Sequence, residues 1–171
     1  MKKDGVDVGN PSMFNPFETL GFETQYPLDV GVLEKRYFEE QKKIHPDRFA
    51  FASKAEKEDA LKKSTALNQA YLMLKDPLQR AACVLRGRGV ELLSHDPLFL
   101  GEVMDWNERL EAGEDLTSEL RHTEEQLLKN LEEAFEEKDD ELARLTLYRL
   151  TYVRKLLKQN FWIASEQSSS Q

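Results

Sequence analysis

The sequence predicts an all-α protein in two units, an antiparallel helical hairpin with short flanking helices followed by a three-helix bundle. Three observations carry that prediction. Apolar residues recur at three- and four-residue spacing along most of the chain instead of alternating. Residues that cap helix N-termini stand directly before these stripes, and Asn15, Asp76 and Asp96 are each followed by proline. Gly and Pro number only 8 and 6 in 171 residues, while charged residues make up 33% against 40% hydrophobic, a balance that favours helix over sheet or disorder.

Each element has its own signals. Asn15, Pro16 and Gly21 frame a short helix carrying Phe17 and Leu20. Asp29 caps a second helix in which Val30, Leu33, Tyr37 and Ile44 share one side, with Lys35, Arg36, Lys42 and Lys43 on others; Pro46 stops it. Ser53 and Glu56 have the spacing of a reciprocal capping box. They start a third helix, to about Lys75, whose expected inner stripe is Leu61, Ser64, Leu67, Asn68, Tyr71 and Leu74. Asp76 and Pro77 restart the chain as DPLQRAACVLRG, which stops at Gly87 or Gly89.

Residues 86–95 break the helical period and mark a junction. Beyond it, Asp96 and Pro97 open a helix from Leu98 to about Glu111. Two more run from Leu116 to about Glu137, with Leu120, Leu127, Leu131 and Phe135 inward, and from Asp140 to Ile163. Short connections make these three an antiparallel bundle. The expected division is therefore 14–85 and 96–164, with disordered ends at 1–13 and 165–171.

Charge and cysteine content exclude several functions. The net charge of -8 is uneven, with a basic excess over 32–80 and a strongly acidic second half. That distribution lacks the basic stripe nucleic-acid binding needs and suits two differently charged partner surfaces. Cys83 is the single cysteine, so no internal disulfide or cysteine-based metal centre can form, and it reads as a small apolar residue of a core helix. No run has the length of a membrane span, and residues 1–14 lack the apolar core of a secretory signal. The cytoplasm is the expected location.

The chemistry-bearing motif is KIHPDRF, residues 43–49. His45, Pro46 and Asp47 fall between two long helices, hence at an exposed hairpin tip that Pro46 stiffens. Taken alone the triplet has three readings: part of an acid–base site formed by His45 and Asp47, part of a metal site, or merely a turn that stops the helix with Asp47 as a cap. An acid–base site needs a third group and a wall that excludes water, and the local sequence supplies neither. A metal site needs further ligands, but His95 and His122 lie in the other unit.

The order of NPFETLGF, a helix bearing Arg36, Lys42 and Lys43, the HPDRF loop and LNQAYLMLKDPLQRA resembles the J-domain of DnaJ-type co-chaperones over about residues 14–85. The resemblance implies docking on an ATP-bound DnaK-type chaperone and stimulation of its ATPase through His45, Pro46 and Asp47. It gives Arg36, Lys42, Lys43 and Arg48 the complementary positive charge, although an ordinary solvated helix face has the same composition. The chain would then be an activator of a partner ATPase, with no catalytic residue, cofactor or metal of its own.

The second unit lacks the Gly/Phe-rich and cysteine-rich parts of general DnaJ proteins. With FLGEVMDWNERLE, residues 99–111, it resembles the HscB-type co-chaperones of iron-sulfur cluster assembly. Phe99, Val103, Trp106 and Leu110 repeat at helical spacing toward a core, leaving Leu100 and Met104 beside them and Asp105 and Glu108 as an acidic rim. The resemblance implies that Leu100, Met104, Asp105, Glu108 and Tyr152 bind an IscU-like iron-sulfur scaffold, which the chain delivers to an HscA-like chaperone in a bacterial cytoplasm. Gly101 departs from the larger apolar residue that relatives tend to carry. The same helix composition also serves plain bundle packing, and another client remains open at this point.

Overall fold

A computed structural model describes residues 14–49, 51–92 and 95–169, with the backbone alone at 46, 47 and 162–169. Its helices are α1 (Pro16–Leu20), α2 (Val30–Lys43), α3 (Lys54–Lys75), α4 (Pro77–Gly87), α5 (Pro97–Glu111), α6 (Thr117–Glu136) and α7 (Asp140–Ser169), with a 3-10 turn at Pro46–Phe49 between α2 and α3. The expected all-α architecture is present, as N-terminal helical pairs and a C-terminal bundle. Expected disorder at 1–13 lies outside the described residues. At the other end α7 runs on to Ser169 instead of stopping at Ile163. Residues 164–169 contain neither Gly nor Pro to break it.

The caps form as their chemistry requires. Asn15 accepts from the Phe17 N–H at 3.0 Å, and Gly21 closes α1 at φ 68°, a left-handed position that glycine occupies without strain. Ser53 and Glu56 make the reciprocal box. Asp76 accepts from the Leu78 N–H at 2.8 Å and Asp96 from the Phe99 N–H at 3.1 Å. The chain reverses after α4 at Gly89, where φ is 76°.

α1 and α2 both pack on α3. The buried face of α3 is Ala60, Leu67, Ala70 and Leu74, whereas Leu61 is 69% exposed and Asn68 lies at the surface. This corrects the expected stripe. Small alanines set the face by letting neighbouring backbones approach, so weighting by bulk placed Leu61 wrongly. On α2, Leu33 is buried and Tyr37 and Ile44 half-buried, but Val30 in the first turn is exposed.

In the second unit Leu120, Leu127, Leu131, Ala134 and Phe135 of α6 face Ala143, Leu147, Leu150, Val153 and Leu156 of α7. α5 lies on α7 through Phe99, Val103, Trp106 and Leu110, all buried as expected. Asp115 receives the Thr117 N–H at 2.9 Å and the Asn160 side-chain amide at 3.0 Å. These bonds fix the start of α6 against α7. Hydrogen bonds from Thr117 first, then Asn160, pull the Asp115 carboxyl down to about 2.

The two units share one continuous core. Tyr26, in the α1–α2 connection, stacks on Phe135 of α6 with ring centroids 4.3 Å apart. Arg80 of α4 lies over Tyr26 and donates to the Tyr26 and Leu74 carbonyl oxygens at 2.9 and 2.6 Å, so this buried cation is satisfied by backbone. Burial raises the Tyr26 phenol above its ordinary pKa. Around the stack, Arg154 of α7 bridges Asp76 at 2.9 Å and Glu124 at 2.7 Å, and Arg88 pairs with Asp140. Truncating Tyr26 leaves a void and removes the ring beneath Arg80, so Tyr26→Ala is expected to lose about 3 kcal/mol in urea unfolding, with the single transition splitting as the units uncouple.

Candidate partner-binding surfaces

The α2–α3 hairpin displays its tip because a polar ladder locks the two helices together behind it. Tyr37 stacks on Tyr71 at 4.3 Å, and its hydroxyl donates to Asn68 at 2.8 Å. Gln41 donates to the Tyr37 hydroxyl at 3.2 Å and to Asn68. One turn back, Lys75 and the Tyr71 hydroxyl both donate to Glu34 at 3.1 Å. The Lys75 bond and then the Tyr71 bond hold the Glu34 carboxyl below its usual range. Asn68, expected inside, is thus a surface residue of this ladder.

At the tip His45 is exposed, and its carbonyl accepts the Arg48 N–H at 3.0 Å to open the 3-10 turn containing Pro46 and Asp47. The side chains of Pro46 and Asp47 lie outside the described residues. Lys42, Lys43 and Arg48 are exposed around the tip, Lys43 bridging Glu40 at 2.6 Å. Arg36 sits lower on α2 with its guanidinium 5.7 Å from the Phe22 ring centroid, which fixes its position over the α1–α2 connection. Lys42, Lys43 and Arg48 thus share the tip end of the hairpin, whereas Arg36 lies lower and is partly committed to Phe22.

The second surface is the outer side of α5. Leu100 is half-buried, Met104 is 64% exposed, and Asp105 and Glu108 are exposed beside it. Asp105 is 3.6 Å from Arg109, whose guanidinium is engaged more closely by Glu114 and Glu119, both at 2.7 Å. Gly101 is exposed, with nothing within 4 Å of the position a Cβ would take. Tyr152 of α7 is half-buried, edge-on to Phe99 at 6.4 Å, and lines a depression of about 100 Å³ with Val103 and Asn107 of α5. Tyr152 therefore borders the Leu100 side of α5, as expected, and its hydroxyl pushes the Tyr148 phenol above its ordinary range.

Sequence reasoning missed the latch under this face. Asp96 caps α5 and also accepts from Arg149 of α7, 2.6 Å away, while Arg149 lies over the Phe99 ring. The backbone bond from Phe99 and then the Arg149 bond lower the Asp96 carboxyl. The Asp-Pro signal announced the cap, but nothing local announced the arginine. Leu98, 85% exposed, and Lys155 and Gln159 of α7 extend the surface around it. Among the described residues no group of three His, Cys, Asp or Glu gathers to hold a metal, and no helix is long and apolar enough to cross a membrane.

Comparison with known proteins gives this architecture a family. A family model described as the HSCB C-terminal oligomerisation domain matches residues 95–159. A co-chaperone protein HscB homolog of Mannheimia succiniciproducens is 31% identical over 162 residues, spanning 86% of this chain and 94% of that protein. One from Aeromonas hydrophila is 33% identical over 160 residues, spanning 85% and 93%. The chain belongs to the HscB co-chaperone family.

Two solved HscB structures extend the match to the fold. The chaperone HscB from Vibrio cholerae superposes with a TM-score of 0.78 at 28% identity, covering 90% of this chain and 99% of that one. The human co-chaperone protein HscB gives 0.80 at 28% identity, covering 90% and 83%. The HscB family accounts for both halves at once: it is a family of co-chaperones, which act on a partner ATPase and perform no chemistry themselves. The acid–base reading of His45 and Asp47 is thereby set aside.

Proposed function

We propose that the chain binds an IscU-like iron-sulfur scaffold protein on α5 and α7, delivers it to an HscA-like DnaK-type chaperone, and stimulates that chaperone's ATPase through His45, Pro46 and Asp47. The observation that carries this reading is the placement of the His-Pro-Asp turn at the tip of a hairpin locked by the Tyr37–Asn68–Gln41 and Glu34–Tyr71–Lys75 bonds. A turn held in that way loses little entropy on docking. The surrounding Lys42, Lys43, Arg48 and Arg36 steer it toward an acidic surface of the chaperone and set its register. Stimulation then means that the turn binds the hydrolysis-competent state of the chaperone better than the alternative.

For the scaffold, Leu100, Met104 and Tyr152 supply apolar area, and Asp105 and Glu108 favour a partner with basic residues around an apolar centre. Met104 is the most exposed of the three, so it gains most from burial. The open space over Gly101 leaves room for a partner side chain to approach the α5 backbone.

Two expectations follow. By calorimetric titration with the scaffold, Met104→Ala and Tyr152→Ala should each weaken binding by about 1 kcal/mol or more; unchanged affinity in both would remove the α5 face. In single-turnover ATP hydrolysis by the chaperone with scaffold present, His45→Gln should lose stimulation while remaining folded and scaffold-binding. Equal stimulation by wild type and variant would return the triplet to a mere helix stop.

A further inference from the structure

Tyr152 borders more than the α5 face. On its other side it lines a groove of about 390 Å³ that runs between α7 and α4, with Leu147, Tyr148, Leu78 and Ala82 on the walls and Arg86 at one end. The groove exists only because the two units are clamped together, since one wall belongs to each. Leu78, Ala82 and Tyr148 are half-buried, and no carboxylate lines the groove, although its α7 wall belongs to the acidic half of the chain.

Arg86 sets this groove apart. Neighbouring arginines have their partners: Arg88 pairs with Asp140 and Arg154 with Asp76 across the seam, and within the bundle Arg149 pairs with Asp96 and Arg154 with Glu124. Arg86 is exposed, and among the described residues its guanidinium has no ion pair or hydrogen bond. It also lines the neighbouring depression that contains Cys83 and Met73. An unpaired guanidinium at the end of an apolar groove matches a carboxylate carried on an apolar segment.

We infer that the client surface does not end at Tyr152 but continues across the seam into the α4–α7 groove, where an apolar segment of the same scaffold places a carboxylate on Arg86. This rests on the α5 face being the scaffold site, and it deepens that reading in two ways. The client touches both units, so its grip depends on their fixed arrangement. The composite surface is also bipolar, acidic along Asp105 and Glu108 and basic at Arg86, which fixes the direction in which a client can lie.

The test is affinity of the full-length chain for purified IscU-like scaffold at low and high salt, comparing wild type with Arg86→Glu, Ala82→Trp and Met104→Ala. Arg86→Glu is expected to weaken binding about fivefold or more at low salt, less at high salt, and Ala82→Trp to weaken it by filling the groove. Both variants should retain scaffold-independent stimulation of the chaperone, which reports a folded hairpin. Wild-type affinity in Arg86→Glu and Ala82→Trp, with Met104→Ala weakened, would overturn the groove while leaving the α5 face standing. Wild-type affinity in Met104→Ala and Tyr152→Ala would instead remove the face on which the inference rests. A dimer of this chain that Arg86→Glu dissociates in sedimentation, with scaffold affinity unchanged, would assign the groove to self-association and also overturn it.

Discussion

The stack of Tyr26 on Phe135, held by Arg80 above and ringed by the Arg154 and Arg88 ion pairs, joins the two units beside the packing of α4 on α7 and sets their arrangement. Its apolar centre supplies the driving force, and its charged ring is oriented more by geometry than by net energy, since half-exposed ion pairs contribute little. Arg80 is the exception in kind. Buried and satisfied by two backbone carbonyls, it ties the connection before α2 to the end of α3. Loss of the stack would therefore loosen the first unit internally as well as its attachment to the second.

The seam gives the proposed function its geometry. The His-Pro-Asp turn stands at the free end of the α2–α3 hairpin, and the α5 face stands on the far unit, yet both are supported by one core. Each proposed surface consists of a few solvent-reaching residues on a support held by its own hydrogen bonds and ion pairs, the arrangement expected of a binding epitope. The tyrosine ladder serves the turn in that way, and the Asp96–Arg149–Phe99 latch serves α5. In each case the support is what positions the contact residues.

Much of this was legible in the sequence, and the physical reason is locality. Caps and breakers act within a few residues, so Asn15, Asp29, Ser53, Asp76 and Asp96 could be read directly. The α5 stripe of Phe99, Val103, Trp106 and Leu110 was legible because one side of that helix is covered and the other is not. The α3 stripe failed because α3 meets several neighbours and buries Ala60 and Ala70 in place of Leu61. The seam was invisible for a different reason: Tyr26 and Phe135, or Asp76 and Arg154, are distant in the chain and meet only through the fold. Arg86 was unremarkable for the same cause, since its lack of a partner stands out only beside the paired Arg88, Arg149 and Arg154. The roles of His45, Met104 and Tyr152 came from resemblance, not from pattern.

In the proposed function the two surfaces work because one chain carries both on a single core. Scaffold-dependent ATP hydrolysis of the chaperone decides this when measured with an equimolar mixture of the His45→Gln and Met104→Ala variants, at scaffold concentrations where wild type stimulates and neither variant alone does. No recovery is expected in the mixture, because no molecule in it can hold the scaffold and engage the chaperone together. Stimulation restored to the wild-type level would mean that the two surfaces need not share a chain.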